Sequence, residues 1–309
     1  MTLHLVPRSL QYLEQVAHLG SIQAASRELG ISASAIHRQI AIIEESLGET
    51  VFDRDAKGMT LTYAGRLILD MARNWRLDSA KLQTIIQSHR GIEHGHLKIA
   101  AMDSMVNGFA RDLVEAISRN FPKVTLEIEI TSPSLAVKGV INGDFDIAAV
   151  ANAAPNESLK FHWSREFPLG CIATPDHPIA QKDHVDFEEF VSHSVVFQGK
   201  TLAIRNLLEA HYGWIFERAK DAVVVNSIQL MKLLVLSGDY VAVTSELDAN
   251  LELTTGRLAF VPIFEKDIFK QTISLVTNAQ IPESIACKKV LDQAVDLLET
   301  AQKTRESVQ

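Results

Sequence analysis

The segment from Leu10 to Gly48 constrains this chain of 309 residues more than any other. Leu10, Leu13 and Val16 mark an apolar helix, Gly20-Ser21-Ile22-Gln23-Ala24-Ala25 follows, and Ser32-Ala33-Ser34-Ala35-Ile36-His37-Arg38-Gln39-Ile40 then runs into Ile43-Glu44 and Leu47-Gly48. In the third stretch Ile36, Ile40, Ile43 and Leu47 fall three or four apart, so they share one buried helical face and turn Ser34, His37 and Arg38 away from it. Ser21 and Ser32 stand where helices begin, able to accept from the free amides of a first turn. Ala24 and Ala25 let the first two helices approach closely, and Gly30-Ile31 ends the second and turns the chain into the third. This is the pattern of a helix-turn-helix, a DNA-reading unit.

Val51 to Thr62 reads as two short strands around a turn with Lys57 and Gly58 at its tip, a wing beside the helices. Helix and wing together suit the division between backbone contacts that position a protein on DNA and base contacts that specify sequence. Leu10, Gly20-Ser21, Ala24-Ala25, Leu29, Ser32, Arg38-Gln39-Ile40, Glu44, Leu47-Gly48, Phe52, Arg54, Leu61-Thr62 and Gly65 occur in the order and at the spacing of one family. On these residues the chain resembles the LysR-type bacterial transcriptional regulators, closely in its first domain and in layout through nearly all of its length. The resemblance implies DNA contacts from Ser21, Gln23, Ser32, Ala33, Ser34, His37, Arg38, Arg54 and Lys57. Two departures bear on readout: the family often has Gln-Pro where Ala33-Ser34 stands, and Ser where His37 stands. Ala33 offers only a methyl contact, whereas His37 can donate or accept at a base edge, or meet phosphate when protonated.

The net charge of −8 fits a DNA-binding protein only once it is divided. Residues 1–94 hold 10 Lys and Arg against 10 Asp and Glu, leaving 20 against 28 in the remainder, which carries the whole deficit. A neutral first third is not a basic footprint, so binding must rest on the placement of Arg8, Arg27, Arg38, Arg54, Lys57 and Arg66, and on a second copy that doubles the phosphate contacts. From Ala64 to Gln87 a long helix is expected, with Ile68, Trp75 and Leu82 seven apart and Ala72, Ser79 and Ile86 between them. These are heptad positions. They equally describe an amphipathic helix packed within its own chain; the resemblance favours dimerisation through Ile68, Trp75, Leu82 and Ile86, with Arg73, Arg76 and Lys81 solvated. His89 to His96 reads as a solvated hinge rather than a metal site, and no cofactor is implied.

Beyond the hinge, apolar strands alternate with amphipathic helices, an α/β layering. Strands are expected at Leu97–Met102, Val124–Ile130 and Phe145–Val150, with helices at Val106–Asn120 and Leu135–Asn142. A second set places strands at Leu169–Thr174, Ser194–Phe197, Ala222–Val225 and Tyr240–Thr244, and helices near Phe187–Ser192, Thr201–Tyr212 and Ser227–Ser237. Leu258–Pro262, Thr272–Thr277 and a helix at Ser284–Thr300 complete the domain. Two similar subdomains follow, crossing near residues 161–168 and 264–271, with a ligand cleft between them. The expected organisation is a winged helix-turn-helix at 1–64, a linker helix at 65–90 and an effector domain at 91–309. Subdomain I spans about 95–162 and 268–300, and subdomain II about 163–267.

The resemblance makes this domain one built like type 2 periplasmic solute-binding proteins, with ligand contacts from strand ends and helix N-termini. Carried over, those places are Asp103, Ser104, Ser132, Ser134, Ala151, Asn152, Gln198, Thr201, Asn226 and Thr244. Ser104, Ser134, Thr201 and the neighbouring Ser227 suit plain helix capping as well. Asp103 would repel an acid, so it either meets an amino group on a small polar effector or caps the helix begun near Ser104. Thr244-Ser245-Glu246 stands where the family commonly has a proline. Cys171 and Cys287 suggest buried thiols rather than a disulfide. No stretch of about 18 uncharged apolar residues and no secretion signal is present, implying a cytoplasmic protein without a membrane partner. The absence of Gly-x-Ser-x-Gly, phosphate-loop and Gly-x-Gly-x-x-Gly motifs argues against an enzyme, and the helix-turn-helix argues against a transport-linked solute-binding protein. The expected function is ligand-gated transcriptional control, with double-stranded promoter DNA, a small-molecule effector, further copies of the chain (a homodimer assembling into a homotetramer) and RNA polymerase as partners.

Overall fold

The computed structural model describes residues 7–55, 58–89, 95–264 and 270–306 and divides into two units, Met1–Ile86 and Gln87–Gln309. The first holds α1 (Arg8–Leu19), α2 (Ile22–Leu29), α3 (Ala33–Leu47), the antiparallel hairpin β1 (Phe52–Asp55) and β2 (Gly58–Leu61), and the start of α4 (Tyr63–His89). Its core gathers Leu13, Val16, Ala25, Ile36, Ile40, Val51, Phe52 and Leu69. Both expected serine caps form: Ser21 Oγ accepts from the Ala24 amide at 3.4 Å and Ser32 Oγ from the Ala35 amide at 3.3 Å.

Leu47 departs from expectation, being 50% exposed. The chain reverses at Gly48, and Val51 enters the core instead, its amide donating to Glu44 Oε1 at 2.8 Å. Thr62 then caps α4, accepting from the Gly65 amide at 3.0 Å, while its hydroxyl donates to the Thr50 carbonyl at 2.8 Å. Gly65 is required here: a Cβ would lie 2.1 Å from the Val51 carbonyl oxygen. The wing is fastened by the Met59 amide, which donates to the Gly20 carbonyl at 2.8 Å.

The expected seam of α4 is divided. Ile68, Leu69 and Ala72 pack within the unit, whereas Leu67, Met71, Trp75, Leu82, Ile85 and Ile86 are exposed. Arg76 is not solvated as expected: it pairs with Glu14 and ties α4 to α1.

The second unit contains two five-stranded sheets. Its first lobe has β3 (Gly95–Ala101), α5 (Arg111–Asn120), β4 (Val124–Ile130), α6 (Pro133–Asn142), β5 (Ile147–Ala151) and β6 (Leu159–Phe167). The second has β7 (Leu169–Ala173), α7 (Phe187–Phe190), β8 (Val195–Gln198), α8 (Ala203–Tyr212), α9 (Ile215–Arg218), β9 (Ala222–Val225), α10 (Ile228–Val235), β10 (Val241–Ser245), α11 (Asn250–Thr254) and β11 (Ala259–Pro262). The chain returns through β12 (Gln271–Asn278) and α12 (Ile285–Glu306) to the first lobe. Strand order is β4-β3-β5-β12-β6 in one sheet and β11-β7-β10-β8-β9 in the other. In each, three parallel strands are extended through two antiparallel pairings, both made by one reversed strand, β12 in the first sheet and β7 in the second.

Besides α9 and α11, which the sequence reading does not include, two elements differ from it. The first crossing lies at Phe167-Pro168-Leu169, because 159–167 is a strand along β12 from Gln271↔Phe167 to Asn278↔Leu159. The helix expected from Val106 is regular only from Arg111. A 3₁₀ turn (Asp103–Met105) and an irregular turn precede it, with Asn107 at ψ 103° and Gly108 at φ 118°, a left-handed backbone that glycine permits. Much of the second crossing falls on residues 265–269, outside the described residues.

Candidate functional site

In the winged unit, the turn between α2 and α3 is held by Ser26 Oγ donating to the Ile31 carbonyl at 2.6 Å. With Ile36 and Ile40 buried, Ser32, Ser34, His37 and Arg38 are exposed on one side of α3, Ala33 is half-buried beside them, and Gln23 is exposed on α2. Ser21 and Ser32 have their oxygens engaged in capping, and Ser34 lies 3.2 Å from Ser32. Arg54 belongs to β1, opposite Met59; Lys57 lies outside the described residues. Of the other cations, Arg8, Arg27 and Arg66 are exposed, and Arg66 donates to the Leu61 carbonyl at 3.0 Å.

In the second unit, the ends of β3, β4, β8 and β9 meet around a cavity of about 230 Å³. Asp103, Ser104, Ser132, Gln198, Thr201 and Asn226 line it, six of the ten expected contacts; Met102, Ile130, Thr131, Asp248 and Gln271 line it too, without having been singled out in the sequence. Ser134, Ala151, Asn152 and Thr244 are not in the lining. Ser134 sits 3.3 Å from Ser132, whose Oγ accepts from the Leu135 amide at 3.4 Å and caps α6. Ala151 is buried in β5, its amide directed at Met102 Sδ. Asn152, with φ 52°, closes a two-way bridge to Thr272: its amide donates to the carbonyl at 2.7 Å and its Oδ1 accepts the amide at 2.9 Å.

Asp103 corrects the capping expectation. Its carboxylate does not cap its own turn but the start of α10 in the other lobe, accepting from the Ile228 amide, from Gln229 N at 3.3 Å and from Ser227 Oγ at 3.1 Å. Gln229 Nε2 donates back to the Asp103 carbonyl at 2.9 Å, and Asn107 pairs with Gln229 nearby. An anion at a helix N-terminus is favoured by free amides and dipole together; here the chain supplies that anion itself.

Behind the cavity lies a buried charged cluster. Lys232, 1% exposed, donates from Nζ to Glu252 Oε2 at 3.0 Å and to the Asp248 carbonyl at 3.1 Å. Thr244, expected at the effector, instead donates to Asp248 Oδ2 at 3.0 Å. Burial pushes the Asp248 carboxyl above its ordinary range, opposed by the hydroxyls of Ser104, Thr244 and Ser245 and by the Lys232 charge. Asp248 Oδ1 and Gln271 Oε1 are buried with no hydrogen-bond partner among the described residues. Cys171 and Cys287 are both free and buried, and burial raises each thiol.

The model of the lysR-family bacterial regulatory helix-turn-helix protein matches residues 7–66, and that of the LysR substrate binding domain matches residues 90–299. The chain belongs to the LysR family. It is a ligand-responsive, DNA-binding transcriptional regulator and not an enzyme. Among its relatives, the RuBisCO operon transcriptional regulator of Allochromatium vinosum is 25% identical over 84% of this chain and 86% of that protein. A probable RuBisCO transcriptional regulator of Synechocystis is 25% identical over 87% of this chain and 79% of its own length. A full-length OxyR variant from Pseudomonas aeruginosa shares the fold with a TM-score of 0.60 at 18% identity, covering 97% of this chain and 95% of that one. CbnR in complex with its target DNA gives 0.53 at 17%, covering 95% and 99%. Among the described residues no helix is long and apolar enough to cross a membrane.

Proposed function

We propose that this LysR-family chain reads promoter DNA with the exposed face of α3 and its surroundings, and that an effector in the cavity of the second unit controls how the assembled protein holds that DNA. Ser32, Ala33, Ser34, His37 and Arg38, with Ser21 and Gln23 on the preceding turn and helix, meet the major groove in this reading, and Arg54 and Lys57 meet the backbone from the wing. The observation that carries it is a helix with a polar outer face and an apolar inner face, joined in one chain to a cavity walled by two lobes.

The partner for α4 is a second copy of the chain. Trp75, Leu82 and Ile86, with Leu67, Met71 and Ile85, leave an apolar strip that a second α4 would cover, and a dimer matches half-sites about one helical turn of roughly 10 base pairs apart, or a multiple. Two such dimers joined through effector domains make a tetramer in the cytoplasm, acting on transcription through RNA polymerase. Asp103 on α10 is a bond between the lobes, so an effector that fits one lobe arrangement better shifts the population towards it, typically by about 1–3 kcal/mol of coupling.

Fluorescence anisotropy of the full chain with the DNA upstream of its own gene, against a scrambled duplex and across salt concentrations, tests the reading. Selective binding supports it; equal binding to both duplexes at every salt concentration refutes it.

A further inference from the structure

We infer that the effector enters the cleft through a protonated amine, held by Asp248 and Gln271, and not through a carboxylate or phosphate. This rests on the cavity being the effector site and adds the chemical class of what it receives.

The place in the wall best suited to an anion, the first turn of α10, is occupied by the Asp103 carboxylate. Among the described residues no Lys, Arg or His lines the cavity, whereas two carboxylates do. The nearby cations are committed elsewhere: Lys232 to Glu252 and the Asp248 carbonyl, and Arg205 to Glu209 while stacking 3.6 Å above the Phe216 ring. An incoming acid would meet two carboxylates and, among the described residues, no cationic side chain in the lining.

The second observation is independent of charge. Asp248 and Gln271 are each 2% exposed, and each directs one acceptor oxygen, Oδ1 and Oε1, to no donor among the described residues. Buried acceptors without partners are rare and call for a donor. A carboxylate or phosphate brings only acceptors, and a hydroxyl brings one donor and no charge. An ammonium brings three donors together with a positive charge. Ile130 and Leu202 supply an apolar wall for the alkyl body, and about 230 Å³ restricts the ligand to a small one, below the roughly 300–1,000 Å³ usual for larger ligands. The first turn of α8, which has no side-chain cap, remains for an acceptor elsewhere on the same molecule.

The test uses four probes on one four-carbon skeleton at millimolar concentration: 1,4-diaminobutane, 4-amino-1-butanol, 1,4-butanediol and succinate. Thermal shift and calorimetric titration of the full chain should show the two amines binding, the diol at least tenfold weaker and succinate not at all. Asp248→Asn should weaken the amines at least tenfold. Gln271→Leu should weaken them several-fold, and it decides the matter if Asp248→Asn folds poorly. Tighter binding of succinate, no response to either amine, or amine binding unaffected by both substitutions overturns the inference. Upstream-DNA binding measured alongside separates the two readings. Selective DNA binding with a succinate response removes the amine and keeps the regulator's cleft; an amine response with unselective DNA binding keeps the ligand class and removes the promoter reading.

Discussion

Replacing Glu252 by glutamine should destabilise the second unit far more than a surface substitution does. Glu252 is 3% exposed and Lys232 1%, and their charged atoms lie 3.0 Å apart. At an effective dielectric constant near 20, opposite unit charges at that separation attract by about 5–6 kcal/mol, most of it offset by desolvation of both groups. Removing one member leaves the other's desolvation uncompensated, which costs about 3–5 kcal/mol. Glutamine keeps an acceptor for Lys232, which also retains the Asp248 carbonyl at 3.1 Å, so the low end, about 3 kcal/mol, is expected. Lys232→Met should cost a similar amount, since the remaining partner of Glu252 is Arg257 at 3.8 Å, itself 53% exposed. Removing both in Lys232→Met/Glu252→Gln should cost less than the two single changes together by at least about 2 kcal/mol. Urea unfolding of the full chain, following the transition of the second unit, measures all three variants. A Glu252→Gln loss below about 0.5 kcal/mol, or an additive cycle, would refute the argument that a buried ion pair holds the turn carrying Asp248.

On DNA, Arg38→Ala should cost about 1–3 kcal/mol and relax sequence preference, whereas Lys57→Ala should weaken all duplexes alike and lower the salt slope by about 1; equal loss on specific and random DNA would make Arg38 a phosphate contact. Gly65→Ala, whose Cβ would meet the Val51 carbonyl at 2.1 Å, should destabilise the winged unit by about 1–3 kcal/mol in thermal unfolding, and an unshifted transition counts against this packing. Asp103→Ala should speed hydrogen exchange at the Ile228 and Gln229 amides about tenfold, with Asp103→Asn intermediate, if the carboxylate shields them at roughly 1–2 kcal/mol; unchanged protection means the lobes are held by other contacts. The raised Asp248 carboxyl makes the folded chain bind its proton more tightly than the unfolded one. Its contribution is therefore most favourable below its ordinary value of 3.8 and is lost as pH rises through the raised folded value. Asp248→Asn should flatten that part of the stability curve, and an identical slope in both proteins would refute it.

Local rules account for what was legible early. The winged unit is built from contacts close in sequence: serine caps three residues from the amides they serve, glycine turns at Gly20 and Gly30, and a hairpin of eight paired residues. A linear pattern records such contacts directly. Periodicity groups Leu47 with the buried face because it cannot tell where a small core runs out, and it leaves open whether Ile68 meets its own chain or another's. The strand at 159–167 was missed because its partner, β12, comes more than a hundred residues later, and Gly108 interrupted a helix that hydrophobic spacing alone would have continued.

The cleft divides in the same way. The amino-acid order by itself determined the family, the helix-turn-helix with its exposed face on α3 and most of the strand ends around the cavity, because each depends on spacing along the chain. Only the tertiary structure decided what the cleft wants. Asp103 caps a helix that starts 125 residues further on, Thr244 turns inward to Asp248, and among the described residues Asp248 and Gln271 are left as acceptors in a cavity that no cationic side chain lines. Charge and hydrogen bonding act through space over a few ångströms, and which side chains come within that range is set by how the two lobes fold against each other.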